Sequence, residues 1–320
     1  MLGNNGHCLS PPPCRLLMRL LHRLTSHITR SMTSAMSSKP YPTRQYEGLE
    51  RPPHISRLEK ASGRKATVEA LNIDVQDGPD GFVPGFLHLP PDFTAPAPNQ
   101  HHHRKAAILL SGAGGGVTGP SSIYLSLGCK LATLGTGIPT LGLDYRMPAR
   151  NKPCIKDVKA GMQYLQDMYG LDKFVLVGWS FGGAPVFTVG GEDQRVVGCA
   201  TVASQTAEAE GIRRLAPRPV LLLHGTGDGT LSPWCSQRLY DIHGSKGDRK
   251  LELFEGDNHA LSRNARKAEA ILCEFIARCT GLDIDGEERE SVVAQDLVDD
   301  GERIDLMKRG GDLREPESAQ

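Results

Sequence analysis

Residues 173–183 read KFVLVGWSFGG. Four apolar residues, Phe174 to Val177, run straight into Gly178-Trp179-Ser180-Phe181-Gly182. A short, fully apolar run fits a strand buried on both faces, as in a parallel sheet. The G-x-S-x-G that follows is the pattern of a sharp strand-to-helix turn with a serine at its apex. The glycines at 178, 182 and 183 have a physical reason. The serine of such a turn sits in a strained backbone, and the helix passes close to the strand, so side chains there would collide.

The surrounding pattern agrees with a covered parallel sheet. Apolar strands are expected at Ala106–Leu110, Ile138–Asp144, Phe174–Val177, Arg195–Ala203, Pro219–Leu223 and Lys250–Phe254. Helical periodicity separates them at Ser121–Leu134, Ile155–Tyr169, Phe181–Val189, Glu208–Leu215, Cys235–Ile242 and Arg263–Arg278. Strand–helix alternation of this kind predicts an α/β fold, a mostly parallel central sheet with helices on both faces. Ahead of it, Lys65–Val75 and Phe82–Leu89 flank Gly78-Pro79-Asp80-Gly81 and read as a hairpin. Pro84 marks the second of these strands as an edge or a bulge.

Composition bounds the rest. Lys+Arg and Asp+Glu are 37 each, so the net charge is zero and no basic face for nucleic acid is implied. No apolar run approaches the roughly 18–20 residues that span a bilayer. The eight cysteines form no C-x-x-C pair, and scattered thiols of this kind fit a reduced, intracellular protein. Residues 1–46 hold no acid and carry Arg15, Arg19, Arg23 and Arg30 opposite a leucine-rich side. They read either as a transit peptide, which makes the location mitochondrial, or as a disordered tail of a cytoplasmic protein. The expected globular domain is 47–282. The acid-rich 283–320 is expected to be a disordered tail. His101-His102-His103 closes a proline-rich loop; consecutive residues do not converge on one ion, so a solvated loop is favoured over a metal site. No cofactor is expected.

A serine hydroxyl needs a base in hydrogen-bond reach, and the base needs a group to fix its tautomer. In G-x-S-x-G proteins the order is serine, acid, histidine. The acid candidate is Asp228 in His224-Gly225-Thr226-Gly227-Asp228, just after a strand. His224 is read as support for that loop. The base candidate is His259 in Gly256-Asp257-Asn258-His259-Ala260, after the next strand. Asp257 is the rival acid, but it lies two residues from His259, and an acid on a separate loop aims more easily at the far ring nitrogen. Two N–H groups are expected to face developing charge. One is that of Phe181; the other comes from Gly112-Ala113-Gly114-Gly115-Gly116, with Ala113 first and Gly114 second. The loop lacks G-x-x-x-x-G-K-[ST] and a dinucleotide fingerprint, so a phosphate role is disfavoured.

With GWSFGG at 178–183, PVLLLHGTGDGTLSP at 219–233 and GDNHAL at 256–261, the sequence resembles the α/β-hydrolase family. It is similar to that family's small dienelactone-hydrolase-like and prolyl-oligopeptidase-like members over about Lys65 to Gly281. The resemblance implies a three-layer α/β-hydrolase fold with Ser180 as nucleophile, Asp228 as acid and His259 as base. It implies a small-molecule acyl substrate, an ester or similar compound. Two departures stand out: Ser111-Gly112 replaces the usual His-Gly opening of the loop, and the nucleophile is not the cysteine of true dienelactone hydrolases. Only about 15 residues join Ala203 to Pro219, which implies a minimal lid. Trp179 and Phe181 are then expected to supply much of the pocket wall. A non-catalytic binding protein on this fold, an acyltransferase and a peptidase are the alternatives.

Overall fold

The computed structural model describes residues 46, 48–49, 53–77, 81–96 and 104–320, with the backbone alone described at 53–55. All fall within the unit Arg44–Gln320. The expectations for residues 1–45 and for His101-His102-His103 lie outside the described residues.

Eight strands form one sheet: β1 (Thr67–Asp74), β2 (Phe82–Leu89), β3 (Lys105–Leu110), β4 (Thr140–Leu143), β5 (Lys173–Trp179), β6 (Val196–Val202), β7 (Val220–Gly225) and β8 (Arg249–Phe254). Their order is β1-β2-β4-β3-β5-β6-β7-β8. β2 is antiparallel to both neighbours, β1 and β4. From β4 onward every pairing is parallel. β2 is therefore an interior strand, and Pro84 lies neither on an edge nor at a bulge. Its register partner in β1 is Asn72, while β4 ends at Leu143, opposite Gly85. The Pro84 carbonyl accepts from Asp144 N (3.0 Å), just past β4. The missing N–H faces the same side, where β4 has ended, so proline forgoes only the reciprocal bond to Asp144.

The helices are α1 (Pro53–Ser62), α2 (Ile123–Thr133), α3 (Asn151–Tyr169), α4 (Gly183–Glu192), α5 (Trp234–His243) and α6 (Ala265–Thr280). They lie on both sides because the strands are apolar on both sides. In β5, Val175, Val177 and Trp179 join a core with Leu127 of α2 and Leu272 of α6. Phe174 and Leu176 alternate into a second core with Val158 of α3 and Phe187 of α4. Successive side chains of a strand point to opposite faces, so one apolar run feeds both cores.

Residues 283–320, expected as a disordered tail, are folded. They form α7 (Gly286–Glu288), a π-helical turn Arg289–Val293 and α8 (Arg303–Gly310). Val292, Val293, Leu297 and Met307 enter the α2–α6 core, and Val298 and Leu306 join Tyr46, Phe86 and Leu125. The mean composition is acidic, but these few apolar side chains are spaced to face inward. Lys130 of α2 also donates to the Val293 carbonyl (3.0 Å). The packing that defines the domain thus continues past residue 282.

Candidate active site

β5 ends at Trp179, and a single 3-10 turn, Ser180–Gly182, leads into α4. Ser180 has φ 54°, in the left-handed region that non-glycine residues rarely occupy. The helix expected from Phe181 therefore starts at Gly183, after the chain leaves this conformation. A Cβ on Gly178 would stand 2.5 Å from the Gly182 carbonyl carbon and oxygen, so only glycine lets strand and helix approach this closely.

Asp228 and His259 converge from separate loops at the carboxyl ends of β7 and β8. Asp228 Oδ2 accepts from His259 Nδ1 at 2.6 Å. The other oxygen, Oδ1, accepts from the Thr230 N–H (2.7 Å) and the Leu231 N–H (2.8 Å), which fix the carboxylate's orientation. His224 Nε2 stands 3.1 Å from Asp228 Oδ2, and its Nδ1 meets the Ser236 hydroxyl at 2.7 Å. His224 thus braces Asp228. Asp257 is spent elsewhere: it accepts from the N–H groups of Asn258, Arg263 and Asn264 at the start of α6.

Charge follows from these contacts. Burial alone would raise the pKa of Asp228, but hydrogen bonds from His224 and His259 hold it far below the usual carboxylate range. Burial would depress His259, yet the carboxylates of Asp228 and Glu317 outweigh it and push its pKa up to about 9.

Glu317 is a site residue that sequence reasoning missed. Its carboxylate comes in from the segment after α8. Oε2 accepts from the Ala113 N–H at 2.5 Å. Oε1 accepts from the Ser180 hydroxyl at 3.4 Å and stands 3.2 Å from His259 Nε2. His259 Nε2 is within ion-pair distance but is not aligned for a hydrogen bond, and it has no other partner among the described residues. The Ser180 hydroxyl therefore meets Glu317 where a base would be expected.

The glycine loop is held from the same segment. Asp312, fully buried, accepts from the Ser111 hydroxyl, the Thr118 hydroxyl (2.6 Å), Thr118 N (3.0 Å) and Gly119 N (2.7 Å). This accounts for the serine that opens the loop. Arg314 pairs with Asp144 (2.7 Å), which also accepts from the Gly116 N–H (2.7 Å). Gly114 packs against the Arg314 backbone, leaving no room for a Cβ. Of the expected N–H donors, Ala113 points at a carboxylate beside Ser180, and Gly114 is a packing position. The amide of Phe181 directly follows Ser180 in the turn.

Trp179 and Phe181 are committed inward. The Trp179 indole N–H donates to the His259 carbonyl at 3.0 Å, and the two rings lie 5.5 Å apart. Phe181 packs edge-on against Tyr145, with centroids 5.9 Å apart. Both are buried in core clusters on opposite faces of the sheet. Trp179 thus serves as a support for the His259 loop.

An eight-stranded, mostly parallel sheet with a serine elbow after β5 defines the α/β-hydrolase fold. The fold is that of the α/β-hydrolases, and a family model described as the alpha/beta hydrolase fold matches residues 84–234. No curated protein matches it in sequence. Solved structures match it in shape. The esterase domain of a Rhodothermus marinus protein is 18% identical, covering 66% of this chain and 98% of that one, with TM-score 0.52. Dienelactone hydrolase from Anabaena variabilis is 14% identical, covering 67% and 98%, with TM-score 0.54. A serine hydrolase from Xanthomonas campestris, described as without lid, is 15% identical, covering 66% and 94%, with TM-score 0.50. At such identities the likeness speaks for the fold. No helix among the described residues is long and apolar enough to cross a membrane.

Proposed function

We propose that the protein is a serine hydrolase that cleaves an ester or similar acyl bond of a small molecule. The observation that carries this reading is the Asp228 Oδ2 to His259 Nδ1 contact of 2.6 Å, formed beside a serine at φ 54° on the elbow. Such a turn presents the hydroxyl at the top of the sheet. The esterases and the dienelactone hydrolase among the structural neighbours favour the same chemistry.

In this reading, with the carboxylate of Glu317 displaced, Ser180 Oγ attacks the acyl carbon. His259 Nε2 takes the hydroxyl proton and passes it to the leaving alcohol as the carbon–oxygen bond breaks. Water then attacks the acyl-enzyme, giving its proton to His259. The collapse frees a carboxylic acid and returns the proton to Ser180. Asp228 holds the imidazole with its Nδ1–H inward and stabilises its charge. The Ala113 and Phe181 N–H groups face the oxyanion. The Xanthomonas neighbour is described as lacking a lid, and a minimal lid here leaves substrate choice to the loops around the mouth.

A fluorophosphonate tests the assignment. Peptide mapping should find the adduct on Ser180, and Ser180→Ala should take up none. Equal uptake by both proteins would sink the assignment.

A further inference from the structure

The Glu317 carboxylate occupies the place that a reacting acyl group needs. Its side chain is 1% exposed. One oxygen uses the Ala113 N–H, and the other meets the Ser180 hydroxyl and lies by His259 Nε2. A buried carboxylate is costly unless paired or hydrogen-bonded, and here the site supplies that compensation. Space is reserved for it too: a Cβ on Gly112 would overlap the Glu317 carboxylate.

The segment that carries Glu317 is anchored at several points. Asp312 is locked to both ends of the glycine loop, and Arg314 is paired with Asp144. Glu317 N donates to the Arg314 carbonyl (3.0 Å), closing the turn that aims the side chain inward. Beyond it, the Thr230 hydroxyl, two residues from Asp228, donates to the Gln320 carbonyl at 3.0 Å. The segment spans the mouth from the glycine loop to the acid loop.

We propose that residues 311–320 are an intramolecular inhibitor of this site. Glu317 sits in it as a free carboxylate product would sit before leaving. This rests on the assignment of Ser180 as nucleophile. An oxyanion and the Glu317 carboxylate compete for the same Ala113 N–H, and Ser180 cannot bond to His259 Nε2 while its hydroxyl is turned to Glu317. Substrate therefore enters only the fraction of molecules in which the segment has withdrawn, and the apparent rate falls by that fraction. The inhibitor is of the product class: a carboxylate on an unbranched methylene stem.

The test uses the full chain as wild type, Glu317→Ala and Glu317→Gln, with thermal melting to check that each is folded. Fluorophosphonate labelling is followed over time and mapped to its residue. Glu317→Ala should label Ser180 at least about tenfold faster than wild type, with Glu317→Gln between them. Equal rates on Ser180 would overturn the inhibitor and leave the nucleophile in place. Absence of label from all three would overturn the nucleophile, and with it any inhibition of that chemistry. A second readout is independent of turnover. The His259 ring, followed by NMR, should titrate lower in Glu317→Gln than in wild type. An unmoved titration would show that Glu317 does not occupy the site.

Discussion

The Trp179 indole N–H donates to the main-chain carbonyl of His259 across 3.0 Å. Trp179 is the residue before the elbow serine, so the strand that presents Ser180 also holds the loop that presents the imidazole. With the Asp228 contact on the ring's Nδ1, the histidine is fixed from both its backbone and its side chain. Neither contact involves the segment over the mouth. The Asp228–His259 pairing therefore does not depend on Glu317.

Asp228→Asn should keep the fold and lose turnover. The Thr230 and Leu231 N–H groups would still hold one oxygen of the side chain. An amide facing Nδ1 favours the wrong imidazole tautomer, and a fall in kcat of roughly 10³–10⁴ is expected with little change in KM. Steady-state hydrolysis of a short p-nitrophenyl ester measures this. A loss below about tenfold would remove Asp228 from the proposed triad.

His259 gives the stability a defined pH dependence. Burial opposes its protonation, but Asp228 and Glu317 raise its pKa from 6.5 to about 9. The protonated ring is thus favoured in the folded state. Its contribution is complete below about pH 6.5 and is lost as pH rises through about 9. Urea unfolding of wild type and His259→Gln should show a gap that narrows over this window, by on the order of 3 kcal/mol at most. A gap that widens with pH would contradict the contact pattern.

Lys130 and Glu269 form an ion pair of 3.0 Å in which both side chains are 3% exposed. Lys130→Met should destabilise by about 3–5 kcal/mol, because Glu269 would stay buried without compensation. The double variant with Glu269→Leu should recover most of that loss. If it unfolds as easily as the single variant, the Lys130 bond to the Val293 carbonyl dominates instead.

Much of this architecture can be read from residue order. Six apolar strand segments and the helices between them stand close to their expected places, because a run buried on both faces has few other uses. Ser180, Asp228 and His259 lie on the loops where their order put them. Pro84 misled because a proline's exclusion from sheet interiors assumes that a neighbour needs its N–H, and β4 stops just short of it. Residues 283–320 misled because net acidity averages over the few apolar residues that fix the packing. One local signal was there: Asp285 and Glu288 form a capping box at the start of α7, an Asp-x-x-Glu spacing readable in advance. Glu317 had no such signal. Its role depends on the turn after α8 and on anchors at Asp312 and Arg314, contacts 201 and 170 residues apart in sequence.

The seat of Asp312 bears on how this protein can be handled. A trimmed version ending at 282, where composition puts the edge of the domain, would strip the acceptor from the Ser111 and Thr118 hydroxyls and from the Thr118 and Gly119 N–H groups. Four donors beneath the glycine loop would lose their partner together, and the loop carrying Ala113 would lose its clamp. The shortened protein would be uncovered and unsettled at once, so a gain in access and a loss of oxyanion geometry would be inseparable in it. Opening the mouth without loosening its floor calls for a change at the tip of the segment, with its root left in place.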